Sequence, residues 1–312
     1  MRVTILDCDF GDGDIEARIL AEAGHELVLS PSDIDECWDL RSEAILTQYR
    51  PISAALVEAN PSLRAVVRYG VGLDVIDLTA CDAAGIAVAE VADYCTEEVA
   101  DHAIALMLSI VRSVVEADSQ VKNGGWPAPQ DLPPIRRLRG RTLGLIGMGR
   151  IASAVAYRAS AFGVEVRGYD PYLSPDEIKS RGVHPSSLQE ALGSDIVSLH
   201  APLLEQTRHL IDSAAIDQMI PGAILLNVAR GGLVDQTALR SALDAGRIAW
   251  AGLDVFDEER LDQLALHPRV VATPHIAYFS DESVVQLRVE AARKVISLLG
   301  NSIDDELIGV PQ

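Results

Sequence analysis

The chain has 312 residues, 48% of them hydrophobic, which is ample apolar material for two cores when single cores stop growing beyond roughly 250 residues. Its formal net charge of −20 and isoelectric point near 4.6 exclude a general nucleic-acid binder, which needs a basic face to release counterions, and a protein drawn to anionic membrane surfaces. Cys8, Cys37, Cys81 and Cys95 have no C-x-x-C spacing, the N-terminus lacks a signal peptide's apolar stretch and no apolar run is long enough to span a bilayer, so a reduced, cytoplasmic setting is expected and no metal site.

In chain order, short Val/Ile/Leu-rich runs predict strands at 3–7, 26–30, 44–48, 65–70 and 86–91. A long helix follows over about 97–117, apolar on most faces and so expected to be buried in a domain junction or dimer contact. The Gly- and Pro-rich stretch "KNGGWPAPQDLPPIRRLRG" (122–140) reads as a loop or arm. Strands are expected again at 142–147, 165–170, 196–200, 223–229, 250–256 and 270–275, and a last helix ends at Gly300 as its cap. Continuous apolar runs separated by helices imply parallel sheets, and two such series imply an α/β chain of two doubly wound domains. One helix cannot make a domain, so the end of the chain should pack back on the first sheet. The expected domains are 1–96 plus 281–312, and 97–280.

The segment "TLGLIGMGRIASAVAYRASAFGVEVRGYDPY" carries the strongest local signal. A strand leads into Gly147-x-Gly149-x-x-Ala152, then a helix, then a second strand ending in Asp170. Gly147 permits the tight turn, Gly149 lets the backbone approach a pyrophosphate, and Ala152 is small enough for helix–strand packing. The helix N-terminus offers free N–H groups to phosphates. Asp170, 23 residues after Gly147, would accept hydrogen bonds from ribose hydroxyls and repel a 2′-phosphate, favouring NAD over NADP. A plain tight strand–helix turn is the alternative. His200, Ala201 and Pro202 end another strand of that sheet, the edge where ligands of open parallel sheets lie. His200 alone reads as a loop histidine and is given no catalytic role.

Three later strand ends carry chemistry. Arg230 follows the apolar run of "LLNVARGGLVDQ" and is costly there unless it meets an anion, such as a substrate carboxylate gripped bidentately or a structural partner such as Asp235. "GLDVFDEER" places Asp254, Asp257, Glu258 and Glu259 after the next strand, and "TPHIAYFS" places His275 after the one beyond. Neighbouring strand ends converge, so an arginine, a carboxylate and a histidine could share one site. A carboxylate beside His275 would stabilise its charged form and let it donate a proton near neutral pH.

The ordered motifs G-x-G-x-x-A, YDP, HAPL, NVARG, LDVFxxE and TPHxA, with "VVRYGVGLDVIDL" and "EEVADHAIALML" upstream, resemble the D-isomer-specific 2-hydroxyacid dehydrogenases over nearly the whole chain. The wording of "HIAYFS" and "DYCTEEVADHA" is nearest the branch of the C-terminal-binding-protein corepressors and their bacterial phosphoglycerate-dehydrogenase-like relatives. The resemblance implies two Rossmann- or flavodoxin-like domains with the cleft between them and pairing of two chains through the nucleotide domains. It implies His275 as proton donor, Glu259 as its carboxylate partner and Arg230 as binder of the substrate carboxylate and carbonyl. It places the backbone of Val71 and Gly72, the Arg68 guanidinium and Tyr278 against substrate. It adds Arg150, Ile151, Asp170, Thr207, Val228, Ala229, Arg230, Asp254, His275 and Ala277 to Gly147, Gly149 and the 200–202 edge as contacts of NAD. The expected reaction is hydride transfer between NADH and C2 of a small 2-oxo acid.

Three positions depart from the family pattern. Asp74-Val75 stands where Asp-Asn is usual, Arg260 follows Glu259 where proline is common, and Tyr278 replaces the corepressor branch's tryptophan. Tyr278 either makes room for a more polar substrate side chain or simply packs. Two other readings stand beside the dehydrogenase. A formate dehydrogenase would have glutamine at 259, and an NAD(H)-sensing corepressor-like protein would bind the cofactor with catalysis secondary.

Overall fold

The computed structural model describes residues 1–30, 39–257 and 263–300. The chain divides into two compact units, Met1–Cys95 with Ser280–Gln312, and Thr96–Phe279.

The first unit is built on β1 (Arg2–Ile5), β2 (Glu26–Leu29), β3 (Ala44–Thr47), β4 (Ala65–Arg68) and β5 (Ala87–Glu90), with α1 (Asp14–Glu22), α2 (Ala54–Ala59), α3 (Leu78–Ala83) and the last helix of the chain, α11 (Asp281–Leu298). The five strands are parallel, in the order β2-β1-β3-β4-β5. Every residue of β3 and β4 is buried, which is why these strands read as unbroken apolar runs rather than alternating ones.

α11 packs on α1 and β4. Ser280 caps it through the Ser283 N–H, and Gly300 ends it in the left-handed region at φ 86°. A buried ion cluster fastens it. Arg288 donates from Nε and Nη2 to Glu16 at 2.8–3.1 Å and from Nη2 to Asp14 at 2.7 Å, while Tyr69 donates to Glu16 at 2.8 Å. Glu16 is fully buried. Hydrogen bonding to Arg288 holds the Asp14 carboxyl below its ordinary range, and burial beside Glu16 pushes the Tyr69 hydroxyl well above its own.

The second unit carries α4 (Thr96–Val111), α5 (Val114–Lys122), β6 (Thr142–Ile146), α6 (Arg150–Ala161), β7 (Glu165–Tyr169), α7 (Pro175–Ser180), β8 (His184–Pro185), α8 (Leu188–Leu192), β9 (Ile196–Leu199), α9 (Ser213–Gln218), β10 (Ala223–Asn227), α10 (Gln236–Asp244), β11 (Ile248–Leu253) and β12 (Val270–Ala272). Its seven strands are all parallel, in the order β12-β11-β10-β9-β6-β7-β8. The chain goes outward from β6 to β7 and β8, then returns to the other side of β6 with β9. The carboxyl ends of β6 and β9 therefore form the topological switch point, where open parallel sheets bind ligands.

Two expectations change. β8 was not foreseen, since a two-residue edge strand containing proline has no periodicity to read. The single helix over 97–117 is two helices, broken at Ser113, whose φ is 51° and whose hydroxyl reaches the Pro133 carbonyl at 3.4 Å. Val111, Val114 and Val115 are β-branched, weak helix formers, and the Ser113 hydroxyl competes with the helix for backbone partners, so a local contact wins. α4 buries its apolar side against α6 and strands β10, β11 and β12 of its own unit, whereas α5 buries no residue. No described helix is long and apolar enough to cross a membrane.

Candidate active site

The glycine turn after β6 is shaped by close packing. Gly147 has φ 87°, and a Cβ there would lie 2.7 Å from the Ala201 nitrogen and 2.8 Å from the His200 carbonyl carbon. Only glycine lets the turn rest on the 200–201 backbone, and the His200 N–H donates to the Ile146 carbonyl at 2.8 Å. Gly149 caps α6, and a Cβ on it would meet nothing within 4 Å, so the face of the turn toward the free N–H groups of the helix is open. Arg150 is exposed and Ile151 half-buried at the first positions of α6, and Ala152 is buried beneath them.

Asp170 lies where the spacing placed it, one residue past β7. Its Oδ2 accepts from the Met148 N–H and its Oδ1 from the Tyr172 N–H, both at 2.9 Å. One carboxylate oxygen thus ties the acid to the glycine turn. Each oxygen keeps a further lone pair for a ribose hydroxyl. The turn with an open N-terminal face and an oriented carboxylate beside it fits a dinucleotide.

At the switch point, Thr207 accepts from the Leu204 N–H and donates to the Pro202 carbonyl, each at 2.7 Å, closing the loop after His200. His200 Nε2 lies 2.9 Å from Ser198 Oγ, and burial pushes the imidazole pKa down to about 4. A neutral ring at neutral pH suits a structural role. It also predicts a pH effect on stability. Above pH ~6.5 the ring is neutral in both folded and unfolded chains. As pH falls from there toward 4, the unfolded chain takes up a proton that the folded one refuses, and stability drops. Urea unfolding at both ends of that window should show His200→Gln losing less stability than wild type by about 2 kcal/mol. Equal losses would mean the ring is not buried neutral.

The catalytic candidates of this unit are tied together along the sheet edge. The Asp254 N–H donates to the Asn227 carbonyl at 3.0 Å, and the His275 N–H donates to the Asp254 carbonyl at 2.8 Å. These two bonds continue the ladder beyond the ends of β10, β11 and β12. Asn227 also accepts from the Ala229 N–H and donates to the Arg230 carbonyl at 2.8 Å, so it shapes the turn that presents the arginine. Arg230 is half-buried, and its Nη1 donates to the Ala229 carbonyl at 2.8 Å. A Cβ on Gly231 would fall 2.0 Å from the Phe256 carbonyl carbon, so the loop after Arg230 lies directly on the segment after β11. Val228 is buried beneath it.

His275 has φ 54°, unusual for a non-glycine residue, and its ring meets Tyr278 edge-on at 6.1 Å between centroids. Asp254 imposes that backbone. Its carboxylate, buried with the residue only 1% exposed, accepts from Thr273 Oγ1 at 2.6 Å, from the Ile276 N–H at 3.0 Å and from the Ala277 N–H at 2.9 Å. The sequence placed Asp254 and Ala277 among cofactor contacts. Here the Asp254 carboxylate and the Ala277 N–H are engaged with each other. Reading the sequence missed this hub, although an aspartate ending the apolar strand that precedes the T-P-H strand was a usable signal.

Arg68, Val71 and Gly72 belong to the first unit. Arg68 is 5% exposed, donates from Nε to the Gln48 carbonyl at 3.2 Å and from Nη1 to the Val71 and Gly72 carbonyls. The Gly72 N–H donates to Glu90 at 2.5 Å. The arginine therefore braces the loop whose backbone was expected to face substrate. Glu259 and Arg260 lie outside the described residues. Among the described residues no cluster of His, Cys, Asp or Glu could hold a metal ion.

The model of the D-isomer specific 2-hydroxyacid dehydrogenase NAD-binding domain matches residues 104–277. A glyoxylate reductase of Korarchaeum cryptofilum is 41% identical over 83% of this chain and 80% of its own length. A chloroplastic D-3-phosphoglycerate dehydrogenase of Arabidopsis thaliana is 34% identical over 94% of the chain, which spans only 49% of that relative. The crystal structure of D-lactate dehydrogenase from Aquifex aeolicus, complexed with NAD and lactic acid, superposes with a TM-score of 0.86 at 31% identity, covering 95% of each chain. With its glycine turn, its ordered strand-end residues and a family model matched across the second sheet, the chain belongs to the D-isomer-specific 2-hydroxyacid dehydrogenase family, and Thr96–Phe279 contains the family's NAD-binding domain.

Proposed function

We propose that this protein is an NAD-dependent D-2-hydroxyacid dehydrogenase that reduces a small 2-oxo acid at C2, or runs the reverse oxidation. The observation that carries this reading is the hydrogen-bonded series Asn227–Asp254–His275, which sets an arginine turn and a histidine at the ends of β10 and β12, on either side of β11, in a dinucleotide-binding sheet. When bound, NADH supplies the hydride. The turn at Gly147–Ile151 would hold the pyrophosphate, Asp170 the adenosine ribose, and the 200–202 edge would lie beside the adenosine or nicotinamide half. Arg230 takes the substrate carboxylate and draws electron density toward the C2 oxygen. His275 hands its proton to that oxygen, and removes it again in the oxidative direction. Glu259 is assigned to keep His275 protonated. The first unit is assigned as the substrate domain, with the braced loop at Val71 and Gly72 and Arg68 behind it.

Glyoxylate heads the candidate substrates, since the chain is 41% identical to a glyoxylate reductase. A homodimer through the second unit is assigned on its exposed apolar residues. Val114, Val115 and Trp126 are 54%, 50% and 89% exposed on α5 and the arm that follows. The free thiols of Cys8 and Cys81 suit a reducing, cytoplasmic compartment.

The test is NADH oxidation with glyoxylate, hydroxypyruvate, pyruvate and an aromatic 2-oxo acid, beside formate with NAD. Turnover of one 2-oxo acid is expected. Turnover of formate alone, or tight NADH binding with no turnover across the panel, overturns the assignment. Cofactor choice is tested by Asp170→Asn, which keeps an acceptor for the Met148 N–H and removes the charge. The kcat/KM ratio of NADPH to NADH should rise about tenfold or more. An unchanged ratio would take the ribose role from Asp170.

A further inference from the structure

His102, on α4, has no part in the chemistry above, yet it stands directly behind the turn that carries His275. Its Nε2 lies 2.9 Å from Thr273 Oγ1, and Thr273 Oγ1 lies 2.6 Å from Asp254 Oδ1. The proton count fixes the direction of both bonds. A carboxylate only accepts, so the single hydroxyl proton of Thr273 goes to Asp254. The hydroxyl can then only accept from His102, which must carry a proton on Nε2. His102 Nε2 is also 3.6 Å from Asp254 Oδ1 itself, and the Asp254 side chain is 0% exposed. Among the described residues the His102 side chain makes no other hydrogen bond or ion pair.

The series His102→Thr273→Asp254 therefore ties α4 to Oδ1 of the Asp254 carboxylate. That same oxygen, Oδ1, also accepts from the Ile276 N–H, Oδ2 accepts from the Ala277 N–H, and the Asp254 carbonyl takes the His275 N–H. His275 sits at a positive φ of 54°, a backbone state that persists only when its surroundings over-determine it. Without the His102 donor the Thr273 hydroxyl loses its tether to α4 and Asp254 loses one constraint on its rotation.

We propose that His102 is a positioning residue for His275: it donates from Nε2 to Thr273, which holds Asp254 in the orientation that keeps the 273–277 turn and its histidine in place. The value of that placement for turnover rests on the reading of His275 as proton donor, so the test separates the two. Amide exchange of Ile276 and Ala277 reports the turn without reference to chemistry. In His102→Leu their protection should fall about tenfold or more. His102→Gln can place a neutral amide N–H where Nε2 stands, and protection should recover to within about threefold of wild type. Thr273→Val should match His102→Leu, and the double variant should be no worse than the worse single.

Kinetically, with glyoxylate and NADH, His102→Leu should lower kcat by about tenfold while both KM values stay within about threefold, and His102→Gln should restore kcat. Nitrogen-15 spectra of wild type should show the His102 proton on Nε2. Unchanged exchange in His102→Leu, an Nδ1–H tautomer with bare Nε2, or, where His275→Ala abolishes turnover, a kcat that stays at wild-type level in His102→Leu overturns the proposal. If instead His275→Ala keeps full turnover while His102→Leu still loosens the turn, the donor reading of His275 fails and the positioning of the turn stands.

Discussion

Alanine at position 275 is expected to lower kcat for 2-oxo acid reduction by about 10²–10⁴-fold, the usual worth of a positioned acid or base, with NADH affinity held within about threefold. The asymmetry follows from where the backbone contacts lie. The turn is held by the His275 N–H and by the Ile276 and Ala277 N–H groups, none of which alanine removes. Alanine also relieves no part of the dinucleotide turn, which sits at the ends of other strands, β6 and β9. Stopped-flow hydride transfer and NADH fluorescence titration on the same preparation check both halves. Full turnover at neutral pH would remove His275 as the proton donor, and a large loss of NADH binding would mean that the variant disturbs the fold rather than the chemistry.

Arg288→Met is expected to destabilise the first unit by about 3–5 kcal/mol, because it strands a fully buried carboxylate. Glu16 would keep the Tyr69 hydroxyl as donor but lose the paired guanidinium contacts, and Asp14 would lose its partner. Adding Glu16→Gln removes the buried charge while leaving an acceptor for Tyr69, so the double variant should recover a good part of the loss. Urea unfolding monitored by near-UV circular dichroism measures both. A single variant within about 1 kcal/mol of wild type would show that water reaches Glu16 and that the cluster is not dry.

Each of the eleven foreseen strands is present, usually a residue or two shorter than its apolar run. The differences are instructive. The run 223–229 pairs only through Asn227, because Asn227 turns its side chain onto the loop and bends Val228 to Arg230 out of the ladder. The run 270–275 pairs only through Ala272, because Thr273 and the residues after it are drawn onto Asp254. In both places a polar side chain ends the strand where the site begins, and an apolar-run criterion overlooks it.

The sequence by itself determined what depends on neighbours along the chain. The buried runs of a parallel sheet, the glycine turn before α6, the acid one strand later and the order of the family motifs are all local patterns, written in residue type and spacing. Only the tertiary structure decided what depends on residues far apart. It set β9 beside β6 to make the switch point, broke the helix at Ser113 against Pro133, and assembled Arg288 with Glu16 across 272 residues of chain and His102 with Thr273 across 171. A buried polar group must find a partner somewhere, but its own sequence neighbourhood does not say which one, because the partner is chosen by packing. For the same reason the sequence did not show that Asp254 is also the hub that shapes the His275 turn.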